Sequence, residues 1–248
     1  MEPLKIKLVT LGNLKYPINF AAIERWRSQV FTAKHVDTVQ EIEDADIDHW
    51  VYSDNSLMRF IKPDPNFNIT VGLINAPLEG NFYLRRLDNN ICILSLHEIA
   101  DILKLSNLKI ESFILRIIYE LCCLYIEEGK KLSASSFYSV AHDETRGCLF
   151  DMNMNKADII YSTVRPRICD SCRTRIVRSQ VPKDFLPSVE NELREIKKDL
   201  YYRLADFIKR HPIYSIFITL LSGIVLNIVA SYLYDVLIKP LLGIGIKN

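Results

Sequence analysis

His142 to Cys148 reads H-D-E-T-R-G-C, and after twenty further residues Cys169 to Cys172 reads C-D-S-C. Cys148, Cys169 and Cys172, with His142 upstream of them, place four soft or borderline ligands within 31 residues. The closing C-x-x-C has the knuckle spacing that presents two thiolates to one ion, and zinc takes four such ligands tetrahedrally. The expectation is one structural Zn2+ per chain, held by His142, Cys148, Cys169 and Cys172. His142 is the better donor beside thiolates, and Asp143 stands as the alternative fourth ligand.

Composition frames this site. A chain of 248 residues with 49% hydrophobic and 25% charged residues has room for one large or two small domains with a packed core. A net charge of +1 gives no global surface for nucleic acid, so any basic surface is local. Six cysteines are too few for a disulfide scaffold, and three of them fall in the cluster. That usage fits a reducing compartment and thiolate ligands. The opening M-E-P-L-K-I-K lacks the apolar core of a signal peptide.

Upstream of the cluster, strand and helix patterns interleave. Lys5–Thr10 alternates charged and apolar side chains as a strand does, and Gly12-Asn13 marks a turn. Pro17 starts a helix whose apolar face is Ile18, Ala21, Ala22, Trp26 and Val30. His35–Val39 is a short strand, Glu41–Asp48 an acidic connection, and Trp50–Ile61 a helix ended by Pro63 and Pro65. Ile69–Ile74 is a strongly apolar strand, while Asn81–Leu87 and Ile91–Leu96 flank Asp88-Asn89-Asn90 as a hairpin or adjacent pair. Lys109–Glu128 is the longest helical pattern of this part, with Phe113, Ile117, Leu121 and Leu124 at helical spacing and Gly129 as its stop. The order points to an α/β or α+β domain with a zinc knuckle over residues 1–178.

The cysteine half of this pattern resembles the archaemetzincins, a branch of the metzincin zinc peptidases. Their motif runs H-E-x-x-H-x-x-G-x-x-H-C, then four residues, a cysteine, and later C-x-x-C. In that alignment His142 stands as the third catalytic histidine, Asp143 replaces a cysteine, and Cys148, Cys169 and Cys172 follow. The resemblance covers roughly residues 5–176 and implies a zincin-like fold. Its catalytic half is missing here: Tyr119 to Cys123 reads Y-E-L-C-C where H-E-x-x-H is expected. Glu120 falls on the general-base position, with Tyr119 and Cys123 in place of the two histidines. A hydrolytic zinc needs three fixed ligands and an open site for water. The expectation is a pseudoprotease rather than an enzyme, with Glu120 a polar residue on a helix. His35, His49 and His211 are isolated, and Cys92 reads as core.

Downstream the chain changes character. Ser179–Val189, with Pro182 and Pro187, reads as a linker, and Glu190–Arg210 as a charged juxtamembrane helix, together residues 179–211. Ile213–Tyr234 is 22 residues without a formal charge. At about 1.5 Å per residue it spans about 33 Å, enough for a hydrocarbon core of about 30 Å. The other reading, a buried core helix, sits poorly with so long and uniform a run. The domain assignment is a transmembrane helix over 212–235 and a short non-cytoplasmic tail over 236–248. Lys197, Lys198, Arg203, Lys209 and Arg210 precede the span, against Lys239 and Lys247 after it. That bias implies a single-pass protein of the inner (cell) membrane with its N-terminal domain in the cytoplasm. Leu237–Ile246 is too short to cross again and reads as interfacial.

Two further patterns bear on function. Ser215, Thr219, Gly223, Asn227, Ser231 and Asp235 follow at steps of four, a small and polar seam that suits helix packing or a pore lining in a homo-oligomer. A plain anchor with ordinary small residues is the alternative. Arg165, Arg167, Arg173, Arg175 and Arg178 crowd the knuckle. They read as an anion site for a phosphate-bearing ligand, a nucleotide or oligonucleotide, against a solvated basic face or contact with anionic lipid heads. The plan as a whole resembles membrane effectors of bacterial nucleotide-signalled antiphage systems, the Hailong type among them. That resemblance implies an oligomeric channel gated by a sensor domain, and a partner enzyme that makes the signal. A membrane-tethered metallopeptidase with an altered ligand set, or a membrane-anchored scaffold, are the alternatives.

Overall fold

The computed structural model describes residues 2–132, 134, 142 and 145–239. The chain divides into two compact units between Lys198 and Asp199. The first is built on a mixed five-stranded sheet. In chain order its elements are β1 (Leu4–Leu11), α1 (Phe20–Glu24), β2 (Phe31–Val39), α2 (Asp54–Phe60), β3 (Ile69–Ile74), β4 (Leu84–Arg86), β5 (Ile91–Ser95), α3 (Ile99–Leu105) and α4 (Ile110–Glu127). After these come α5 (Ile159–Thr163), α6 (Asp170–Arg178) and α7 (Phe185–Leu193). The strand order is β2-β1-β3-β5-β4, parallel except for β4, which runs antiparallel to β5 at the edge.

Period-two alternation sends the sheet's side chains into two cores. Ile6, Leu8, Val71, Leu73, Cys92 and Leu94 face the larger one, which α3, α4 and α7 complete. Val9, Leu11, Ile74, Ile91 and Ile93 face a smaller one closed by Leu57, Ile61 and Tyr52. Because both faces are covered, β3 and β5 are buried along their whole length. Their unbroken apolar runs are what such a position requires. Gly72 sits where the smaller core is tightest: an added Cβ would lie 2.8 Å from Ile93 Cδ1 and 3.1 Å from Ile61 Cδ1.

Most of the predicted elements fall within a few residues of those observed. The strand read over His35–Val39 begins earlier, at Phe31, and the helix read over Trp50–Ile61 starts only at Asp54, where the Ser53 side chain caps it. Pro17 does not start a helix. Asn19 does, accepting from the Ala22 amide, and α1 is a short five-residue helix.

One boundary needs correcting. Ser179–Val189 is not a linker, and Glu190–Arg210 is not one helix. Phe185, Leu186, Val189 and Leu193 are buried in the larger core as α7, with Ile196 behind them. Glu192 on α7 accepts from Ser28 Oγ at 2.5 Å, the Gln29 amide at 2.8 Å and Tyr119 Oη at 2.5 Å. A proline at the third helical position, Pro187, is tolerated because the first turn's amides have no intrahelical acceptor.

The second unit holds α8 (Leu200–Arg210) and α9 (Pro212–Leu233), the latter continued by a π-helical turn at Tyr234–Ile238. Pro212–Ile238 forms one candidate span of 27 residues, within which an 18-residue window has mean hydropathy 2.2 and is not buried. At about 1.5 Å per residue that is about 40 Å of helix, long enough by length and composition to cross a bilayer. The tail read over 236–248, and the interfacial reading of Leu237–Ile246, lie outside the described residues from 240 onward.

Candidate metal centre

The loop over 145–150 and the segment leading into α6 are stitched together by backbone bonds. Cys148 and Arg167 form a parallel bridge, with Leu149 N to Arg167 O at 2.7 Å and Arg167 N to Gly147 O at 2.9 Å. Gly147 has φ +84°, a conformation that glycine adopts without a Cβ penalty, and it turns the chain so that Cys148 points inward. A second bridge joins His142 to Asp151, with Met152 N to His142 O at 2.9 Å. Cys169 is the N-cap of α6 and Cys172 lies in its first turn, so the C-x-x-C wraps the helix start.

These connections bring His142, Cys148, Cys169 and Cys172 together, with one ligand atom from each all within 4.8 Å of one another. Cys148 and Cys172 are buried, while His142 and Cys169 are half-buried. The sulfurs of Cys148 and Cys172 are 4.0 Å apart, and Cys169 Sγ lies 3.5 Å from His142 Nε2. A tetrahedral zinc with sulfur at about 2.3 Å and nitrogen at about 2.0 Å separates two sulfurs by about 3.8 Å and sulfur from nitrogen by about 3.5 Å. Both separations match, so the cluster fits one structural zinc ion, with Nε2 as the ligating nitrogen of His142. The hydrogen bond between the two buried cysteines holds the Cys148 thiol well below the usual range and pushes Cys172 up. A cation among them favours the thiolate of both. Four protein donors close the shell, which is the pattern of structural rather than catalytic zinc. Asp143, the alternative ligand, lies outside the described residues.

The loop is held from beneath by a residue that the sequence reading passed over. Arg116 on α4 is fully buried, and its Nη2 donates to Leu149 O at 2.7 Å and Asp151 O at 3.1 Å. Its Nη1 reaches Tyr83 Oη at 3.4 Å and pairs with Glu120 at 3.0 Å. The contact to Glu120 is an ion pair without the direction of a good hydrogen bond. Burial, opposed by Arg116, pushes the Glu120 carboxyl up to about 7. A signal for this was present: R-I-I-Y-E places opposite charges at i and i+4 inside an otherwise apolar helix.

The neighbours of Glu120 are equally engaged. Tyr119 is buried, donates to Glu192, and accepts from Trp26 Nε1 at 2.8 Å. Cys123 is buried, and burial pushes its thiol up. Among the described residues, the one group of His, Cys, Asp and Glu with metal-binding geometry is the cysteine cluster.

The arginines around the knuckle divide. Arg173 pairs with Glu190, and Arg175 pairs with Glu127 at 3.3 Å while lying 4.7 Å above the Phe150 ring. Arg165, Arg167 and Arg178 are exposed. Arg175 and Arg178 share a shallow depression on α6 with Asp170, Ser171, Thr174 and Ser179. On the candidate span, the hydroxyls of Ser215 and Thr219, both in the seam, and of Ser222 beside it donate to carbonyls four residues back at 2.7–2.9 Å. Gly223 has nothing within 4 Å of where a Cβ would stand.

No family model matches the chain, and no curated protein matches it. One solved structure is similar. It is the archaemetzincin of Methanopyrus kandleri, at a TM-score of 0.48 and 12% sequence identity, over 72% of this chain and 96% of that one. A likeness of that degree lends nothing to the chemistry of the site, which rests on this chain's own residues.

Proposed function

We propose that this chain is a membrane effector in bacterial antiphage defence. Its zinc-braced domain receives a nucleotide or oligonucleotide signal without hydrolysing peptides, and its spans assemble into a channel or pore. The observation that carries the non-hydrolytic part is the state of α4. At the positions where a peptidase would put histidines and a base, Tyr119 is committed to Glu192, Cys123 is buried, and Glu120 is tied to Arg116. A hydrolytic zinc would need at least three ligands and a free coordination position there.

The anchoring part rests on the length and hydropathy of Pro212–Ile238 and on the excess of Lys and Arg before it. That bias supports an inner-membrane, single-pass arrangement with the domain in the cytoplasm. Self-association draws on Asn227, an amide near the middle of an apolar helix that gains from a partner or water. Gly223, Ser215, Thr219 and Ser231 would let neighbouring backbones approach on the same seam. Arg165, Arg167 and Arg178 are the cations open to a phosphate, and a separate enzyme would supply that ligand.

Leakage of ions on expression, abolished by Gly223→Leu or Asn227→Leu with the chain still in the membrane, is the expected result. An unchanged membrane potential under all conditions contradicts the channel. A second reading, a scaffold held at the membrane, is favoured by one observation: Ser215 and Thr219 already satisfy their hydroxyls on their own helix. It predicts a monomer in mild detergent and no conductance.

A further inference from the structure

The most exposed apolar surface next to the candidate span is on α8. Leu200, Tyr201, Leu204, Phe207 and Ile208 are 40–76% exposed. At about 100° per residue they fall within an arc of about 120°. Arg203, Asp206, Lys209 and Arg210, with Tyr202, occupy the opposite arc of similar width. Three cations stand against one acid on that face. Eleven residues make about three turns, too few for a stable coiled coil with a second copy.

The junction with α9 says what can cover this stripe. A single residue, His211, separates Arg210 from Pro212, so the end of α8 lies where the span begins. His211 has φ −132° and ψ 61°, outside the helical region, so the two helices are not one continuous rod. Phe207, His211 and Tyr214 gather at this break, with ring centroids 5.2 Å and 6.1 Å apart in succession. Tyrosine, here Tyr214, concentrates at the boundary between acyl chains and headgroups.

We propose that α8 lies in the membrane–water interface. Its Leu200, Tyr201, Leu204, Phe207 and Ile208 stripe enters the acyl boundary of an anionic leaflet, and Arg203, Lys209 and Arg210 meet the headgroups. The inference rests on the anchoring reading above, since the span is what delivers α8 to the surface. Helices with a strong apolar face and a basic polar face bind in this plane, and each cation near an anionic surface adds to the attraction.

The full chain in lipid nanodiscs tests it, with the photo-crosslinker p-benzoylphenylalanine placed at Tyr201, Tyr202 or Phe207. Tyr201 and Tyr202 are adjacent in sequence and their rings touch, with centroids 5.3 Å apart. They leave the helix about 100° apart, one at the edge of the apolar arc and the other near the edge of the polar one, so a difference between them reads the face rather than the position along the chain. Phospholipid adducts at Tyr201 and Phe207, several-fold above those at Tyr202, are expected. Arg210→Glu should lower the yield at Phe207 in discs containing phosphatidylglycerol and leave it unchanged in phosphatidylcholine alone. Equal adducts at all three positions would overturn the proposal. So would crosslinks from Tyr201 or Phe207 to a second copy or to residues 2–198. An equal effect of Arg210→Glu in both lipids would overturn its charge component. A chain released from membranes by alkaline carbonate would overturn the anchoring reading along with it, whereas a retained chain without adducts overturns this inference alone.

Discussion

Arg116 and Glu120 show how a buried charge pair can brace a loop it does not belong to. Two carbonyls of the metal loop, those of Leu149 and Asp151, end on one guanidinium. Arg116→Met would unfasten both and leave Glu120 buried without the cation it pairs with, Arg86 and Arg175 acting on it only from farther off. Breaking a buried pair by removing one partner costs about 3–5 kcal/mol, so a large drop in melting temperature with reduced zinc content is expected. Glu120 itself gives a pH signature. Burial raises its carboxyl to about 7, so the folded protein holds this proton more tightly than the unfolded chain, where Glu titrates near about 4.3. The stability this contributes is complete below the unfolded value and is lost as pH rises through the folded one, at no more than about 1.4 kcal/mol per pH unit. Glu120→Gln should therefore gain on the parent protein in denaturant midpoint between about pH 5 and about pH 8. A difference that stays flat across that range would contradict it. The metal ligands were legible from spacing alone, because C-x-x-C and an upstream histidine are a local pattern. The support beneath them was not, because Tyr83, Arg116 and Asp151 meet only once the chain has folded.

At the scale of elements, the sequence is clearest where a pattern is long. The helix expected over Lys109–Glu128 is observed over Ile110–Glu127, and the strand over Ile69–Ile74 at those residues. It is weakest where local chemistry argues against the tertiary outcome. The segment D-S-C-R-T-R-I-V-R is polar enough to hide α6, which buries only Cys172 and Ile176. Two prolines disguised α7 as a linker, although Pro187 falls in the one turn of a helix that tolerates it. The consequence can be measured by truncation. A chain ending after Arg178 loses Phe185, Leu186, Val189 and Leu193 from the larger core and strands Tyr119 and the Ser28 turn without Glu192. Each large buried apolar side chain is worth about 1.5–3 kcal/mol, so that fragment should not fold, while one ending after Lys198 should fold and hold its zinc. Amide dispersion and metal content of the two fragments decide this. Equal folding would mean that α7 is dispensable.

For the whole molecule, the chain joins a mixed α/β domain with a closed Cys/His cluster to a second unit dominated by a long apolar helix. The sequence marks both ends of this plan well, since thiolate spacing and a long uncharged apolar run are each local patterns. It marks the transition poorly, because the residues from 179 to 210 are charged and punctuated by proline whether they pack on a core or not. The central claim is that a single structural zinc, rather than a hydrolytic one, braces the domain. Counting metal in the purified full-length protein tests it most directly, followed by chelation under thermal melting. One zinc per chain, lost together with cooperative folding when the chelator removes it, is the predicted result. Two zinc ions per chain, or a metal-free protein that melts unchanged, would contradict it.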